Sequence, residues 1–221
     1  MNKQTGFTLI ELAIVLVIIG LLLGGVLRGQ ELINSAKVKN MANDFRSIPV
    51  YIYGYQDKFK ALPGDDKAAE THVGAAPANN GDGNGALAGA WFNNKASTSE
   101  AYRFWQHVRL ANLAPGATDD ANADWRPANA DGGPIGIMAG TNVAAASAMK
   151  DGADNAIKGS YVICSQGILG KYVTQLDVSL DDGNSATGSM LAAKTNAPAL
   201  ALAADATAID PAASYIVCFG V

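Results

Sequence analysis

Residues 7–27 read FTLIELAIVLVIIGLLLGGVL, an almost unbroken apolar run near the start of a 221-residue chain. An α-helix rises about 1.5 Å per residue, so a run of this length spans about 30 Å, the hydrocarbon thickness of a bilayer. The one charged residue in the run is Glu11. A carboxylate is costly in lipid, and those found there usually have a partner or a function. The run therefore predicts a membrane-spanning helix in which another group neutralises Glu11.

A suitable cation arises if the chain is cut between Gly6 and Phe7, because Phe7 then carries a free α-amino group. In a neighbouring copy that is shifted along the helix axis, this amine can approach Glu11. Such a contact repeats from one subunit to the next without closing, and head-to-tail contacts of this kind generate helical filaments. These residues therefore indicate a filament subunit.

Residues 3–6 (KQTG) followed by 7–12 (FTLIEL) resemble the class III signal of type IV prepilins and type II secretion pseudopilins. The resemblance implies cleavage after Gly6 by a prepilin peptidase, N-methylation of Phe7, and a role for Glu11 in assembly. It implies as partners the peptidase/methyltransferase, an inner-membrane assembly platform and other pilins, with membrane lipid around the helix before assembly. The expected location is the bacterial inner membrane with an extracytoplasmic head, and then a pilus or periplasmic pseudopilus.

A secretory signal or a plain membrane anchor would account for less of this N-terminal segment. A secretory signal would end in a small-residue cleavage site, whereas this run ends in LLGGVLR without an Ala-x-Ala pattern. A single-span anchor whose head acts alone leaves Glu11 and the Gly6–Phe7 junction unexplained. The sequence leaves open a major pilin, a minor pilin that initiates assembly or mediates adhesion, and a type II secretion pseudopilin. Many major pilins have a proline about twenty residues into the mature chain, where this sequence has Gly24, Gly25 and Arg28.

The expected organisation is a leader peptide at 1–6, a long helix at 7–60 with residues 7–27 in the membrane, and a globular head at 61–221. Beyond the membrane, apolar residues recur at steps of three and four, which is the period of an amphipathic helix. These residues are Val38, Met41, Phe45, Ile48, Ile52, Tyr55 and Phe59. The opposite, solvent-facing side is expected to carry Lys37, Asn40, Asp44 and Ser47.

Two prolines bear on the length and continuity of this helix. Pro49 removes one backbone hydrogen bond and predicts a kink or short break. The sequence LPGD at 62–65 predicts a turn, so the long helix should end near Lys60.

The head is predicted to have an α+β fold with an antiparallel sheet. Residues 97–113 predict a second helix that begins with a capping box from Ser97 to Glu100. Segments 135–138, 160–165 and 214–219 have strand character, and 170–180 is ambiguous between helix and strand. The loops at 75–89 and 116–133 are polar, with Trp125 as the expected anchor of the second.

Cys164 and Cys218 are the two cysteines of the chain. Outside the cytoplasm a disulfide between them is favoured over two free thiols. The pair also resembles the C-terminal disulfide-bounded loop of type IV pilins, a loop that is commonly surface-exposed and variable and would here comprise residues 164–218.

The loop at 80–85 (NGDGNG) is a candidate for binding calcium. Asn80, Asp82 and Asn84 alternate as in the start of an EF-hand loop, and Asp65 or Asp66 is close enough in sequence to contribute. However, Trp91 stands where an EF-hand has its bidentate glutamate. A flexible turn is the preferred interpretation.

Composition argues against catalysis and against nucleic-acid binding by the head. Residues 61–221 carry sixteen acidic residues and nine Lys or Arg, whereas nucleic-acid affinity comes mainly from clustered Lys and Arg. His72 and His107 have no Cys or acid at metal-ligand spacing, and neither a G-x-S-x-G nor a P-loop motif occurs. The paired acids, such as Asp65–Asp66, are expected in solvated turns. The sequence therefore predicts a structural subunit and no enzyme.

Overall fold

The computed structural model combines a long N-terminal helix with a domain built on an antiparallel sheet, an α+β arrangement. It describes residues 8–76, 79–93, 99–119, 125–140, 147–200, 202–205 and 208–221. The helices in these ranges are α1 (Leu9–Phe59), α2 (Ala69–Val73), α3 (Glu100–Leu110) and α4 (Gly170–Leu180). The strands are β1 (Ile135–Ala139), β2 (Met149–Lys150), β3 (Tyr161–Leu169), β4 (Met190–Ala193), β5 (Leu202–Ala203) and β6 (Ser214–Gly220).

The described part of the chain forms two compact units, of which the first ends at Lys37 and the second begins at Val38. The boundary falls inside α1 rather than at residue 60. The second unit, called the head from here on, therefore includes the C-terminal part of α1 as well as all the other helices and strands.

The predicted end of the long helix is confirmed. The residue after α1, Lys60, has a left-handed backbone (φ 55°), and the turn at 62–65 follows it. Of the two outcomes expected at Pro49, the short break is wrong, because α1 is helical on both sides of it, and the kink stays a prediction. Pro49 has no backbone N–H, so the helix lacks one hydrogen bond at this position. Phe45, Ile48 and Ile52 on the flanking turns are all buried in the head core. Their burial outweighs the lost hydrogen bond.

The apolar stripe of α1 packs into the head as its period predicts. All of its residues from Val38 to Tyr55 are buried, and Phe59, at the end of the helix, is partly exposed. The stripe contacts one face of the sheet, where it shares a core with residues of α3 and α4.

The opposite side of α1 is less exposed than expected. Asn40 is exposed, but Lys37, Asp44 and Ser47 are partly covered. Asp44 borders a small void that is also lined by Asn129 and Ser165. This burial raises the pKa of Asp44 to about 6.

Replacing Asp44 with asparagine is expected to stabilise the head at neutral pH. Because the native pKa of Asp44 exceeds its unfolded value, its contribution to stability is present below about pH 4 and is lost as pH rises through about 6. A pKa shift of this size, discounted for solvent screening, corresponds to about 1 to 2 kcal/mol in the free energy of unfolding. Melting of the full chain in detergent should therefore show that the gain of Asp44→Asn over wild type is larger near pH 8 than near pH 4.

Asp57 provides the matched control for this measurement, since its side chain is exposed on the same helix. Asp57→Asn removes a carboxylate that is not buried, so the difference between the two substitutions isolates the burial of Asp44. An equal effect of the two substitutions at both pH values would contradict the burial of Asp44.

The main sheet has four antiparallel strands in the order β1-β3-β6-β4. The three strand segments expected from the sequence are β1, β3 and β6. The ambiguous segment 170–180 is a helix, α4, with Tyr172, Val173 and Leu176 buried on one side. Strands β2 and β5 form a separate two-residue parallel pair.

Both faces of the main sheet are covered. Ile163 and Val217 lie on the face that packs on α1, α3 and α4. Leu191 and Ile216 lie on the other face, against a second cluster that includes Trp91 and Met149. This alternation follows from the two-residue period of strands, and it leaves the central strands buried on both sides.

A disulfide joins Cys164 and Cys218, as the sequence favoured. The two residues face each other in register on β3 and β6, with Cα atoms 4.1 Å apart, and both are fully buried. The segment between them contains α4 and β4, which contribute to both core clusters. It is therefore part of the head core, and the expectation of an exposed loop is wrong.

The second predicted helix is present but begins later than expected. The N-cap of α3 is Ser99, whose hydroxyl accepts a hydrogen bond from the Tyr102 N–H at 3.3 Å. Ser97 lies outside the described residues. Glu100 does not close a capping box, because its carboxylate is buried and accepts hydrogen bonds from the loop at 82–88.

Trp125 is buried, as predicted for the anchor of its loop.

Candidate functional site

The N-terminal end of α1 holds Glu11 in a defined position. Oε2 of Glu11 accepts hydrogen bonds from the Thr8 N–H at 2.8 Å and from the Thr8 hydroxyl at 2.7 Å. The Glu11 N–H in turn donates to the Thr8 hydroxyl oxygen at 3.3 Å. This is a capping box, in which a threonine and a glutamate three residues later satisfy each other's backbone N–H groups. Gly6 and Phe7 lie outside the described residues.

The capping box explains how a carboxylate is accommodated at the start of an apolar helix. It satisfies Thr8 N–H and Glu11 N–H, two of the backbone groups that the first turn leaves without intrahelical partners. It engages only one carboxylate oxygen, Oε2, in these hydrogen bonds. The charge itself is unpaired within the described residues, since the recorded ion pairs do not include Glu11.

The helix around Glu11 is exposed and strongly apolar. Of the helices in the described residues, α1 is the one that is long and apolar enough to cross a membrane. Its most apolar 18 residues have a mean hydropathy of 2.8. That window has no residue buried within the molecule. The first charges after it, Arg28 and Glu31, form a surface ion pair at 2.7 Å. Such a surface requires lipid or another protein to cover it.

The head has an open cleft of about 610 Å³ beside the end of α1 and the start of α2. His72 lines this cleft, and its Nδ1 is 2.7 Å from Oδ2 of Asp66. The Tyr55 hydroxyl donates to the same oxygen at 2.7 Å. Burial alone would raise the pKa of Asp66, but the hydrogen bonds from His72, the Ala68 N–H and Tyr55 outweigh it and hold that pKa below its usual range. An ionised Asp66 favours the His72 tautomer with its proton on Nδ1, which leaves Nε2 as the basic nitrogen.

This arrangement acts as a structural tie. It links Tyr55 on α1 to His72 on α2 through one carboxylate, and His72 also stacks on Phe59 with ring centroids 5.3 Å apart. The lining residues of the cleft include no serine, threonine or cysteine that the His72–Asp66 pair could activate.

The expectation that Asp65 and Asp66 lie in a solvated turn is wrong, since both are buried. Their sequence positions gave no sign of this, because Tyr55 and His72 lie eleven residues before and six residues after Asp66.

His107 is also structural. It is fully buried, its Nδ1 accepts a hydrogen bond from the Gly64 N–H at 2.9 Å, and its Nε2 lies 3.0 Å from the Asn79 carbonyl oxygen. Burial lowers the pKa of His107. A neutral ring with one accepting and one donating nitrogen satisfies both contacts.

The loop at 80–85 does not present the three oxygens considered for calcium. The Asn80 side-chain oxygen accepts the Glu70 N–H at 3.0 Å, and that of Asn84 accepts the Ala86 N–H at 2.8 Å. Of the two aspartates considered as further contributors, the structure brings Asp65 close to Asp82, together with Glu100, and one oxygen of each of these three lies within 4.8 Å of the others.

These three carboxylates are largely occupied by backbone N–H groups. Asp65 accepts from Gly83, Asn84 and Gly85 at 2.7 to 3.1 Å, and Glu100 accepts through both of its oxygens. Burial raises the pKa of Asp65 and that of Glu100 against these hydrogen bonds. The cluster connects the loop at 80–85 to α3. Its carboxylate oxygens could bind a cation only if these hydrogen bonds rearranged.

Comparison with known proteins adds one finding at the N-terminus. The family model of the prokaryotic N-terminal methylation motif matches residues 1–27. No curated protein and no solved structure matches the chain. The motif lies at the start of the exposed apolar helix α1. Residues 1–27 and the long apolar helix thus resemble the N-terminal segment of type IV pilin-like proteins.

Proposed function

We propose that this protein is a structural subunit of a type IV pilus-like filament. Residues 1–6 are the leader, prepilin peptidase cleaves after Gly6, and Phe7 becomes the methylated N-terminus. The helix resides in the inner membrane with the head outside, and an assembly platform then moves the subunit into the filament. Any catalysis in this process is performed on the protein by its peptidase.

The observation that carries the proposal is the state of Glu11. Its carboxylate is fixed by Thr8 at the start of an exposed apolar helix, and its charge has no partner in the described part of the chain. A second subunit whose Phe7 amine lies beside Glu11 would supply that partner. The apolar surface of α1 would then serve twice, first against lipid and afterwards against the helices of other subunits.

Within this class, two related functions compete with a major pilin. A minor pilin would occur in few copies and initiate assembly or mediate adhesion, and a type II secretion pseudopilin would form a short periplasmic filament. The abundance of the subunit in sheared surface fibres separates these functions. A single-span anchor whose head acts alone, the alternative from another class, would give neither processing nor filaments.

Intact mass and N-terminal peptide analysis of the protein from its native membrane or surface fraction is the direct test. A chain that begins at Phe7 with one additional methyl group is the expected result. A chain that begins at Met1, or one cut beyond Leu27, would exclude a processed filament subunit. The variant Gly6→Val, with a bulky residue at the expected cleavage position, should remain uncleaved and so shows that the mass change depends on this junction.

A further inference from the structure

Three carboxylates meet at the C-terminal end of α4. Asp177 lies in the last turn of the helix, Asp181 is its C-cap residue, and Asp182 follows in the loop. One oxygen of each lies within 4.8 Å of the others. Asp177 is fully buried, Asp181 is half-buried and Asp182 is exposed, so the cluster leads from the core to the surface.

One oxygen of Asp177 has no hydrogen-bond partner. Oδ1 accepts the Gly183 N–H at 2.8 Å, whereas Oδ2 is unpaired among the residues that the structure describes. Buried polar atoms nearly always have a partner, whether from the protein, from water or from an ion. The unpaired oxygen belongs to the most deeply buried carboxylate of the three and is free to bind a ligand.

The charges around the cluster also favour a cation. The C-terminal end of a helix carries a partial negative charge, which repels carboxylates and attracts cations. The last turn of α4 has no basic residue, and none of the recorded ion pairs of the described residues involves these three aspartates. Arg46, which reaches this end of α4, donates to the carbonyl oxygen and hydroxyl of Ser179 instead.

We propose that Asp177, Asp181 and Asp182 form a binding site for a divalent cation of the calcium type. The donors are all carboxylate oxygens, which hard cations prefer. Calcium binds oxygen at about 2.3 to 2.6 Å, so two oxygens on opposite sides of one ion are at most about 5 Å apart, as the cluster requires. The exposed position of Asp182 provides access from solvent and room for water ligands.

The loop after α4 is shaped around Asp181. Its Oδ2 accepts hydrogen bonds from the Ser189 N–H and, at 3.0 Å, from the Met190 N–H at the start of β4. A Cβ atom at Gly188 would clash with this oxygen, so only glycine allows the loop to close there. A bound ion would therefore link the end of α4 to the edge strand of the sheet and stabilise the head.

The second carboxylate cluster, Asp65, Asp82 and Glu100, lacks this independent sign of a ligand. Both oxygens of Asp65 and both of Glu100 accept backbone hydrogen bonds. That cluster therefore serves as an internal comparison for the proposed site.

Equilibrium dialysis of the full chain in detergent against radioactive calcium tests the proposal. The wild-type chain should bind calcium, and Asp182→Asn, which removes one of three anionic ligands at the surface, should weaken one site at least about tenfold. Asp177→Asn should abolish that site, and its asparagine keeps the shape of the buried side chain. Calcium should raise the Tm of the wild type more than that of Asp182→Asn and should not raise that of Asp177→Asn, because an ion that binds only the folded state stabilises it.

Two variants serve as controls. Asp154→Asn removes an exposed carboxylate of the head that pairs with Lys150, and Asp82→Asn removes a member of the other cluster; both should keep the Asp182-dependent ion. The proposal is overturned if wild type binds no calcium at millimolar concentration, or if Asp182→Asn binds it as tightly as wild type. Loss of calcium binding in Asp82→Asn alone would overturn it as well, by placing the ion at the other cluster.

Discussion

A chain with Glu11→Ala is expected to insert in the membrane and to be cleaved at the normal position, but to give no filaments. Insertion depends on the apolar residues of α1, which the substitution leaves intact and makes slightly more apolar. Assembly in our proposal depends on the pairing of the Glu11 carboxylate with the Phe7 amine of a neighbouring subunit. Without the carboxylate, that amine would enter the apolar filament core unpaired, which is strongly unfavourable. Immunoblots of membrane and sheared-fibre fractions measure both outcomes.

A second substitution separates charge from helix capping. Glutamine also serves in a capping box, so Glu11→Gln keeps the contacts to Thr8 and removes only the charge. It should fail to assemble in the same way as Glu11→Ala. Glu31→Gln is the matched control, because Glu31 is exposed on the same helix outside the most apolar segment and pairs with Arg28. Normal filaments from Glu11→Gln would show that capping rather than charge pairing is the role of Glu11.

The parts of this fold that could be predicted are those whose signal is local and periodic. The apolar run reflects a helix long enough to span a bilayer, and the stripe from Val38 to Tyr55 reflects a helix that buries one side with a 3.6-residue period. The stop after Lys60 reflects a local turn. The strands β1, β3 and β6 were predictable from dense Ile, Val and Tyr. The segment 170–180 was not, because its apolar residues fit both periods and only packing on the sheet decides for a helix.

The carboxylate sites of the head could not be predicted, because they depend on contacts between distant segments. Asp66 is buried by Tyr55 and His72, and Asp65 by the backbone of residues 83–85. In sequence both resemble the solvated acids of an ordinary turn. The Thr8–Glu11 capping box has a sequence signature, T-x-x-E before an apolar run, and the same glutamate also suits intermolecular pairing.

Removal of the disulfide by Cys164→Ala with Cys218→Ala is expected to lower the free energy of unfolding by about 4 kcal/mol in the chain-entropy model. The two cysteines are 54 residues apart, and closure of a loop of this length restricts the unfolded chain by about that amount. Alanine is the suitable replacement, because serine would place two hydroxyl groups where the cysteines are fully buried. The lost sulfur atoms add a cavity term of the same sign. Thermal or denaturant unfolding of the full chain in detergent measures the difference.

The position of the disulfide makes a separate prediction about its reactivity. Both sulfur-bearing residues are fully buried between the central strands β3 and β6, so mild reductant should leave them unlabelled by a thiol reagent until the head unfolds. Reductant together with denaturant should then label both. Because the bridge pairs strands that lie in register beside each other, its loss should leave the sheet order intact and chiefly favour the unfolded state. Equal stability of the double alanine variant and the wild type, or labelling of native protein without reductant, would contradict a bridge that holds the two central strands together.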